Sequence, residues 1–333
     1  MNIETIWKGW ADAEQFSGVF SARGEGGALF EASAGFRNRG EALPNAVDTA
    51  FGIASGTKLF TGLTACRLIE AGKLSLTDTL RDILPYDPGQ IDKRVTIFHL
   101  LTHTSGVGDY LDEESPDAGQ AEQALCAKYP VYLWESLSYY LQMITPLAPK
   151  FAPGARFGYS NAGYVLLGLA IEAAAGKPYR QAVADAIITP LGLRHTGFYR
   201  ADALPRNTAY GYLDDGRTNI FSLPVVGGSD GGLYTCAQDL DTLWRALFAG
   251  RILGEPMRRA FLAPQVSRGG GRSYGLGVYR LDRSGETAYY AVGGDFGVDF
   301  FTVCFPGQGI TASALGNTEL DTFPLLDAML QSL

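Results

Sequence analysis

Ser55 and Lys58 stand three residues apart in "FGIASGTKLFTG", residues 51 to 62. A serine hydroxyl is a poor nucleophile until a base takes its proton. Residues i and i+3 share one face of a helix, so the Lys58 amine can turn back to the Ser55 oxygen. Lysine serves as that base only where burial or neighbouring charge favours its neutral form. At a helix start Ser55 also sits at the positive end of the dipole, where its own N–H can help hold an oxyanion. Serine before a helix is more commonly a cap, so this stretch alone leaves cap and nucleophile both open.

A second group lies about 100 residues on, in "FAPGARFGYSNAGY" (151 to 164). Tyr159 and Asn161, two apart in an extended segment, point the same way. A phenol whose pKa is lowered by cationic neighbours exchanges protons, and an asparagine amide orients a lysine and a substrate carbonyl. Read separately, Asn161 is a helix cap and Tyr159 is core packing. Two other stretches mimic catalytic motifs. "GGSDG" (227 to 231) matches G-x-S-x-G, but that mechanism needs a later histidine, and His99, His103 and His195 all precede it. The glycines there are expected to make a tight turn. "HLLTHTSG" sets His99 and His103 four apart, yet Leu100 stands where the zinc motif has glutamate, so a structural histidine pair is expected.

These groups need a scaffold. Residues 1 to 12 read as a polar-faced helix, followed by strands in "FSGVFSA" and "GGALFEASAGF". Leu59, Leu63, Cys66 and Ile69 then mark one helical face, stopped at Gly72. "NAGYVLLGLAIEAAAG" is a buried helix ending at Gly176. Four late runs, "SYGLGVYRL", "TAYYAV", "DFFTVCF" and "ITASALGN", read as strands before a closing helix, "DTFPLLDAMLQSL". Strands at both ends with helices between them predict an α/β (α+β) fold: one antiparallel sheet from both termini with an inserted helical domain. The expected division is residues 1–54 with 232–333 for the sheet and 55–231 for the insertion, with the site at their interface.

Composition narrows the function classes. The 333 residues are 46% hydrophobic, enough for a large core, and carry a net charge of −8. That charge, without a basic cluster, argues against nucleic acid. Cys66, Cys126, Cys236 and Cys304 lie far apart without metal-ligand spacing and are expected to be reduced core residues. No apolar run reaches the roughly 18 residues of a membrane span. The first residues lack a signal-peptide pattern, so a cytoplasmic location is expected, or a periplasmic one if a signal was removed. The acidic run "GDYLDEESPDAGQAE" (108 to 122) is either a solvated loop or part of a site rim.

Taken in order, "TAFGIASGTKLFTGLTACRLIEAGKLSLTDTL", "VTIFHLLTHTSGV", "FAPGARFGYSNAGYVLLGLAIEAAAGKPY", "ITPLGLRHTGF" and "GGLYTCAQDLDTL" resemble the serine β-lactamase and penicillin-binding-protein superfamily. The similarity is to its class-C-like branch of esterases and D-aminopeptidase-type hydrolases, and extends over most of the chain. The resemblance implies a β-lactamase/transpeptidase-like fold, a nucleophile at Ser55, a base at Lys58, a proton-transfer partner at Tyr159 and an orienting Asn161. It implies no metal or cofactor.

The third landmark departs from the pattern. Such proteins carry K-T-G or H-x-G on a strand beside the nucleophile. "HTG" at His195 to Gly197 is misplaced, because it follows "PLGL" in the helical region. The positional match is "YYAVGGDFGVDF" (289 to 300), where Val292 stands for the usual cation, followed by Gly293, Gly294 and Asp295. The glycines are expected to let the backbone approach an acyl group, with the Asp295 N–H as second oxyanion donor. Without the cation, a substrate carboxylate loses a contact of roughly 1.5–3 kcal/mol. The expectation is therefore a carboxylesterase on small esters working through an acyl-enzyme. An amidase or D-aminopeptidase acting on short amides with a free amine is the alternative, and weak β-lactamase activity is compatible with either. A non-catalytic binding protein on the same scaffold is the rival from another class.

Overall fold

The computed structural model describes residues 2–10, 13 and 15–332, and all their side chains except those at 118, 119, 122, 123 and 126. An eight-stranded antiparallel sheet is its frame. In chain order the strands are β1 (Gly18–Gly24), β2 (Gly27–Ala34), β3 (Val266–Gly269), β4 (Arg272–Tyr274), β5 (Tyr279–Arg283), β6 (Glu286–Asp295), β7 (Val298–Phe305) and β8 (Ile310–Gly316). Their spatial order is β2-β1-β8-β7-β6-β5-β4-β3. The N-terminal hairpin thus joins the C-terminal strands through β1 and β8, which pair from Gly18↔Gly316 to Arg23↔Thr311. "SYGLGVYRL" is not one strand. Gly275 and Gly277 break it into β4 and β5, and β3 adds an edge that the alternation did not reveal.

Alternating side chains feed two cores. On one face Phe20, Phe301, Val303 and Phe305 pack with the terminal helices α1 (Ile3–Gly9) and α5 (Phe323–Gln331). On the other, Tyr289, Ala291, Phe300 and Cys304 join a larger core with α2 (Thr57–Glu70), α3 (Asn161–Ala175) and α4 (Ala237–Phe248). Cys66, Cys236 and Cys304 are free and buried. Cys126 lies in the helix Ala118–Lys128, and its side chain falls outside the described ones.

Where the chain leaves the sheet for the helices and where it returns, Phe51–Gly52 pairs with Tyr234–Thr235. This two-stranded neck supports the proposed division into a sheet unit (1–54 with 232–333) and an inserted helical unit (55–231). No helix among the described residues is long and apolar enough to cross a membrane.

Candidate active site

Ser55 sits in a single 3-10 turn, Ala54–Gly56, immediately before α2. Neither the turn nor the helix has a side-chain cap bond, so the cap reading of Ser55 does not hold. Its Oγ instead accepts from Lys58 Nζ at 2.9 Å. The preceding Ala54 is left-handed, at φ 43. Such strain in a non-glycine residue costs of order 1–3 kcal/mol and persists only when the surroundings over-determine it. Here they do: the Ala54 carbonyl accepts from Thr57 Oγ1 at 2.7 Å, and Leu233 N donates to that same hydroxyl at 2.9 Å.

Lys58 is 2% exposed, and its Nζ lies within hydrogen-bond distance of three oxygens. They are Ser55 Oγ, Asn161 Oδ1 at 2.7 Å and the Asp230 carbonyl at 2.6 Å. Burial pushes its amine below the ordinary lysine range, while the carboxylates of Asp230, Glu113, Asp109 and Asp295 pull the other way. The desolvation effect wins, which favours the neutral amine a base requires.

Asn161 opens α3, but Ser160 caps that helix, its Oγ accepting from Gly163 N at 2.9 Å. The Asn161 amide is thereby released to accept from Lys58 and to donate to Glu113 Oε1 at 2.6 Å. Tyr159 lies beside this pair, its ring centroid 4.9 Å from Lys58 Nζ and its phenol close enough to Ser55 for that side chain to act on its acidity. The expectation of a lowered phenol pKa is overturned. Burial, Glu113 and Tyr279 drive it well above the tyrosine range, so Tyr159 is a neutral hydroxyl that can relay a proton but not a phenolate base.

The third landmark needs correcting by one residue. On β6 the side chains directed to the nucleophile's face are Tyr289, Ala291, Gly293 and Asp295; Val292 packs into the opposite core, across from Phe301. Pleating forces this, because neighbours in a strand point to opposite faces. Val292 therefore does not stand at the site. The residue before Gly293 on the nucleophile's face is Ala291, which is equally uncharged, so the missing cation is retained as an observation. Gly293 lies against the nucleophile turn. A Cβ there would stand 2.2 Å from the Ile53 carbonyl and 2.9 Å from the Ser55 and Gly56 nitrogens.

The end of β6 also bears on the second oxyanion donor. Asp295 and Val298 close a two-residue turn with Gly297 at φ 64. The closing pair of such a hairpin is the hydrogen-bonded one, which directs the Asp295 N–H at β7. Gly294, one residue earlier, directs its N–H to the other edge, which β5 leaves uncovered because its pairing with β6 stops at Tyr290. This parity favours Gly294 over Asp295.

A cavity of about 350 Å³ opens at Ser55. Val131, Trp134, Met143 and Val225 give it apolar walls, and Glu113, Asp230 and Asp295 are the charged side chains among its described lining. No lysine, arginine or histidine is among them. Sequence reasoning missed Glu113, Tyr110 and His103 as parts of the site. Glu113 comes from the acidic run and lines the cavity, as the rim reading expects, while Asp109 of the same run turns inward and accepts from Ala162 N at 3.1 Å. Asp230 comes from the G-x-S-x-G look-alike. Ser229 is fully buried there, its carbonyl accepting from Thr61, and the next residue turns its carbonyl to Lys58. Tyr110 donates to Asp230 Oδ2. "HTG" is indeed elsewhere: the His195 N–H and the Thr196 hydroxyl bind Asp239. His99 Nδ1 accepts from Thr96 N at the start of its own helix, Ile97–Leu101, while His103 stacks on Tyr159, so the two rings do separate jobs. Among the described residues, no group of three His, Cys, Asp or Glu side chains is placed to hold a metal ion.

The Beta-lactamase family model matches residues 4–330. The chain belongs to that family. Penicillin-binding protein 4* of Bacillus subtilis (strain 168) is 28% identical over 96% of this chain and 72% of its own length. Esterase EstB of Burkholderia gladioli is 36% identical over 56% of this chain and 47% of its own. Among solved structures, a penicillin-binding protein from Bacillus halodurans superposes with a TM-score of 0.90 at 38% identity, covering 100% of both chains. D-amino acid amidase from Ochrobactrum anthropi SV3 shares the fold, with a TM-score of 0.77 at 20% identity over 100% of this chain and 99% of its own. The protein is thus a β-lactamase-family serine hydrolase with the β-lactamase/transpeptidase-like fold.

Proposed function

We propose that this hydrolase is a carboxylesterase acting on small esters that carry no carboxylate beside the scissile bond. The observation that carries the reading is the cavity at Ser55, whose charged lining among the described residues is three acids, set among apolar and neutral polar side chains, with no cation. An anionic substrate would enter against three carboxylates with nothing to pair its charge.

In the proposed reaction the Ser55 oxygen attacks the ester carbonyl while its proton passes to the Lys58 amine. The N–H groups of Ser55 and Gly294 hold the oxyanion. Collapse breaks the bond to the leaving alkoxide, which takes the proton back from Lys58 through the Tyr159 hydroxyl. Water then attacks the acyl-enzyme as Lys58 takes its proton, and collapse breaks the bond to the Ser55 oxygen, which receives that proton back from Lys58 as the carboxylic acid leaves. Asn161 keeps the Lys58 amine aimed at Ser55 throughout.

A second reading has its own support. Glu113, Asp230 and Asp295 ring the cavity, a setting suited to an ammonium group, so amides or esters with a free amine are the other substrate class. D-amino acid amidase has the same fold, which makes this class compatible with the scaffold.

Intact-mass spectrometry after exposure to a short-chain nitrophenyl ester, an amino-acid amide, a penicillin and a fluorophosphonate tests both readings. Ester turnover with a fluorophosphonate adduct on Ser55 is expected. No turnover and no adduct with any of them, in folded protein, would overturn the enzyme reading. A fast, stable penicillin adduct would overturn the substrate argument. Preference for a free over an N-acetylated amine, lost in Glu113→Gln, would select the second reading.

A further inference from the structure

His103, in "HLLTHTSG", is left unused by the mechanism above, yet it packs on the Tyr159 ring and binds the backbone on both sides of it. Its backbone is left-handed, at φ 55, a conformation that histidine tolerates better than most residues. From there its carbonyl accepts from Gly158 N at 2.8 Å and its ring Nδ1 accepts from Ser160 N at 3.1 Å. One residue thus grips the chain immediately before and immediately after Tyr159. The N–H of Tyr159 itself donates to Glu114 Oε1 at 3.1 Å, so all three backbone donors of residues 158–160 are held. The imidazole also packs on the Tyr159 ring, with centroids 4.4 Å apart, and against Tyr164 and Tyr274 at 4.8 and 4.9 Å.

We propose that His103 is a positioning residue for acylation, which fixes the Tyr159 hydroxyl at Ser55 by clamping residues 158–160 and stacking on the Tyr159 ring. The inference rests on the reading of Ser55 as nucleophile and Tyr159 as proton relay. The chemistry of the position explains the residue type. Phenylalanine would stack but not accept from Ser160 N, and asparagine would accept but not stack. Histidine does both, provided that Nδ1 is bare and the proton is on Nε2. Burial, with the Arg268 guanidinium and the Lys58 amine nearby, holds the ring well below the usual imidazole range and so keeps it neutral. Its Nε2 is buried with no partner, which fits a ring placed for its Nδ1 and its faces.

The test is the rate of fluorophosphonate labelling, followed by intact mass, together with kcat and KM for a nitrophenyl ester. His103→Leu and His103→Asn are each made in the wild-type and the Tyr159→Phe backgrounds. His103→Leu should lower labelling and kcat about 10- to 100-fold with KM little changed, the scale expected for an ångström of misplacement. His103→Asn, which keeps an acceptor and tolerates φ 55, should stay within about fivefold of wild type. In Tyr159→Phe the Leu penalty should shrink to under about threefold, because a residue acting through the phenol has nothing left to position. If the Leu chain does not fold, His103→Gly carries the same comparison, since glycine accepts φ 55 without strain. An undiminished penalty in Tyr159→Phe, or no penalty in either background, overturns the proposal. Labelling that survives in Ser55→Ala would overturn the nucleophile assignment instead, and this inference with it.

Discussion

Gly293→Ala adds one methyl group at the contact between β6 and the nucleophile turn. The new carbon would lie 2.2 Å from the Ile53 carbonyl oxygen and 2.9 Å from the nitrogens of Ser55 and Gly56, where ordinary contact begins at 3.4 Å. All three atoms are backbone, so no side chain can swing aside. Either β6 withdraws or the Ser55 turn moves, by roughly 1 Å at the closest contact. Overpacking of this kind costs about 1–3 kcal/mol of stability. A shift of that size at the reacting groups costs on the order of 100-fold in rate, close to 2.7 kcal/mol of barrier. Gly294→Ala is the matched control, because a Cβ there meets nothing within 4 Å. Thermal melting and acylation of Ser55 by fluorophosphonate, measured on both variants, separate the two positions. Gly293→Ala should melt earlier and acylate far more slowly, while Gly294→Ala should melt like the parent. Parental acylation rates in Gly293→Ala would refute the close-approach argument and the placement of β6 against Ser55.

Further outcomes are expected at the base, its charged neighbour and the far face of β6. Ser55→Ala should give no covalent adduct in intact-mass measurements, and Lys58→Ala should slow acylation by roughly 100- to 10,000-fold, the range of general-base removal. Acylation should rise with pH through the Lys58 pKa, which burial places below its ordinary 10.5, because only the neutral amine accepts the Ser55 proton. Asp230→Asn deletes the carboxylate that most favours the charged amine, so the acid limb of the kcat/KM profile should move to lower pH; movement to higher pH would contradict the assignment. Val292→Lys should leave penicillin acylation within about threefold of wild type, because its side chain joins the far core of the sheet. A gain approaching the roughly 1.5–3 kcal/mol of a charge-assisted contact would show that this residue reaches the site after all.

The local signals in the chain were strong where chemistry is local. Helical spacing joins Ser55 to Lys58, and a two-residue step in an extended segment joins Tyr159 to Asn161, so the sequence offers these four as candidates, with their roles implied by the family resemblance. The buried helix ending at Gly176, the terminal strands and the lack of a cation in the landmark on the late strand were legible too. Tertiary structure decided what depends on through-space partners. It turned Val292 away, because a period of two makes a one-residue slip reverse the face of a strand. It moved the helix cap to Ser160 and so released Asn161. It raised rather than lowered the Tyr159 phenol, because burial and Glu113 are properties of the folded environment and not of the Tyr-Ser-Asn stretch. It also set Glu113 and Asp230, acids the sequence offers only as possible neighbours of the site, and His103, from a motif that resembles a zinc site, against the catalytic groups. Their contributions, a carbonyl aimed at Lys58, an acceptor for Asn161 and a ring on Tyr159, come from chain segments about 50 to 170 residues away from the groups they serve. Distances that long leave no periodicity in a sequence to read.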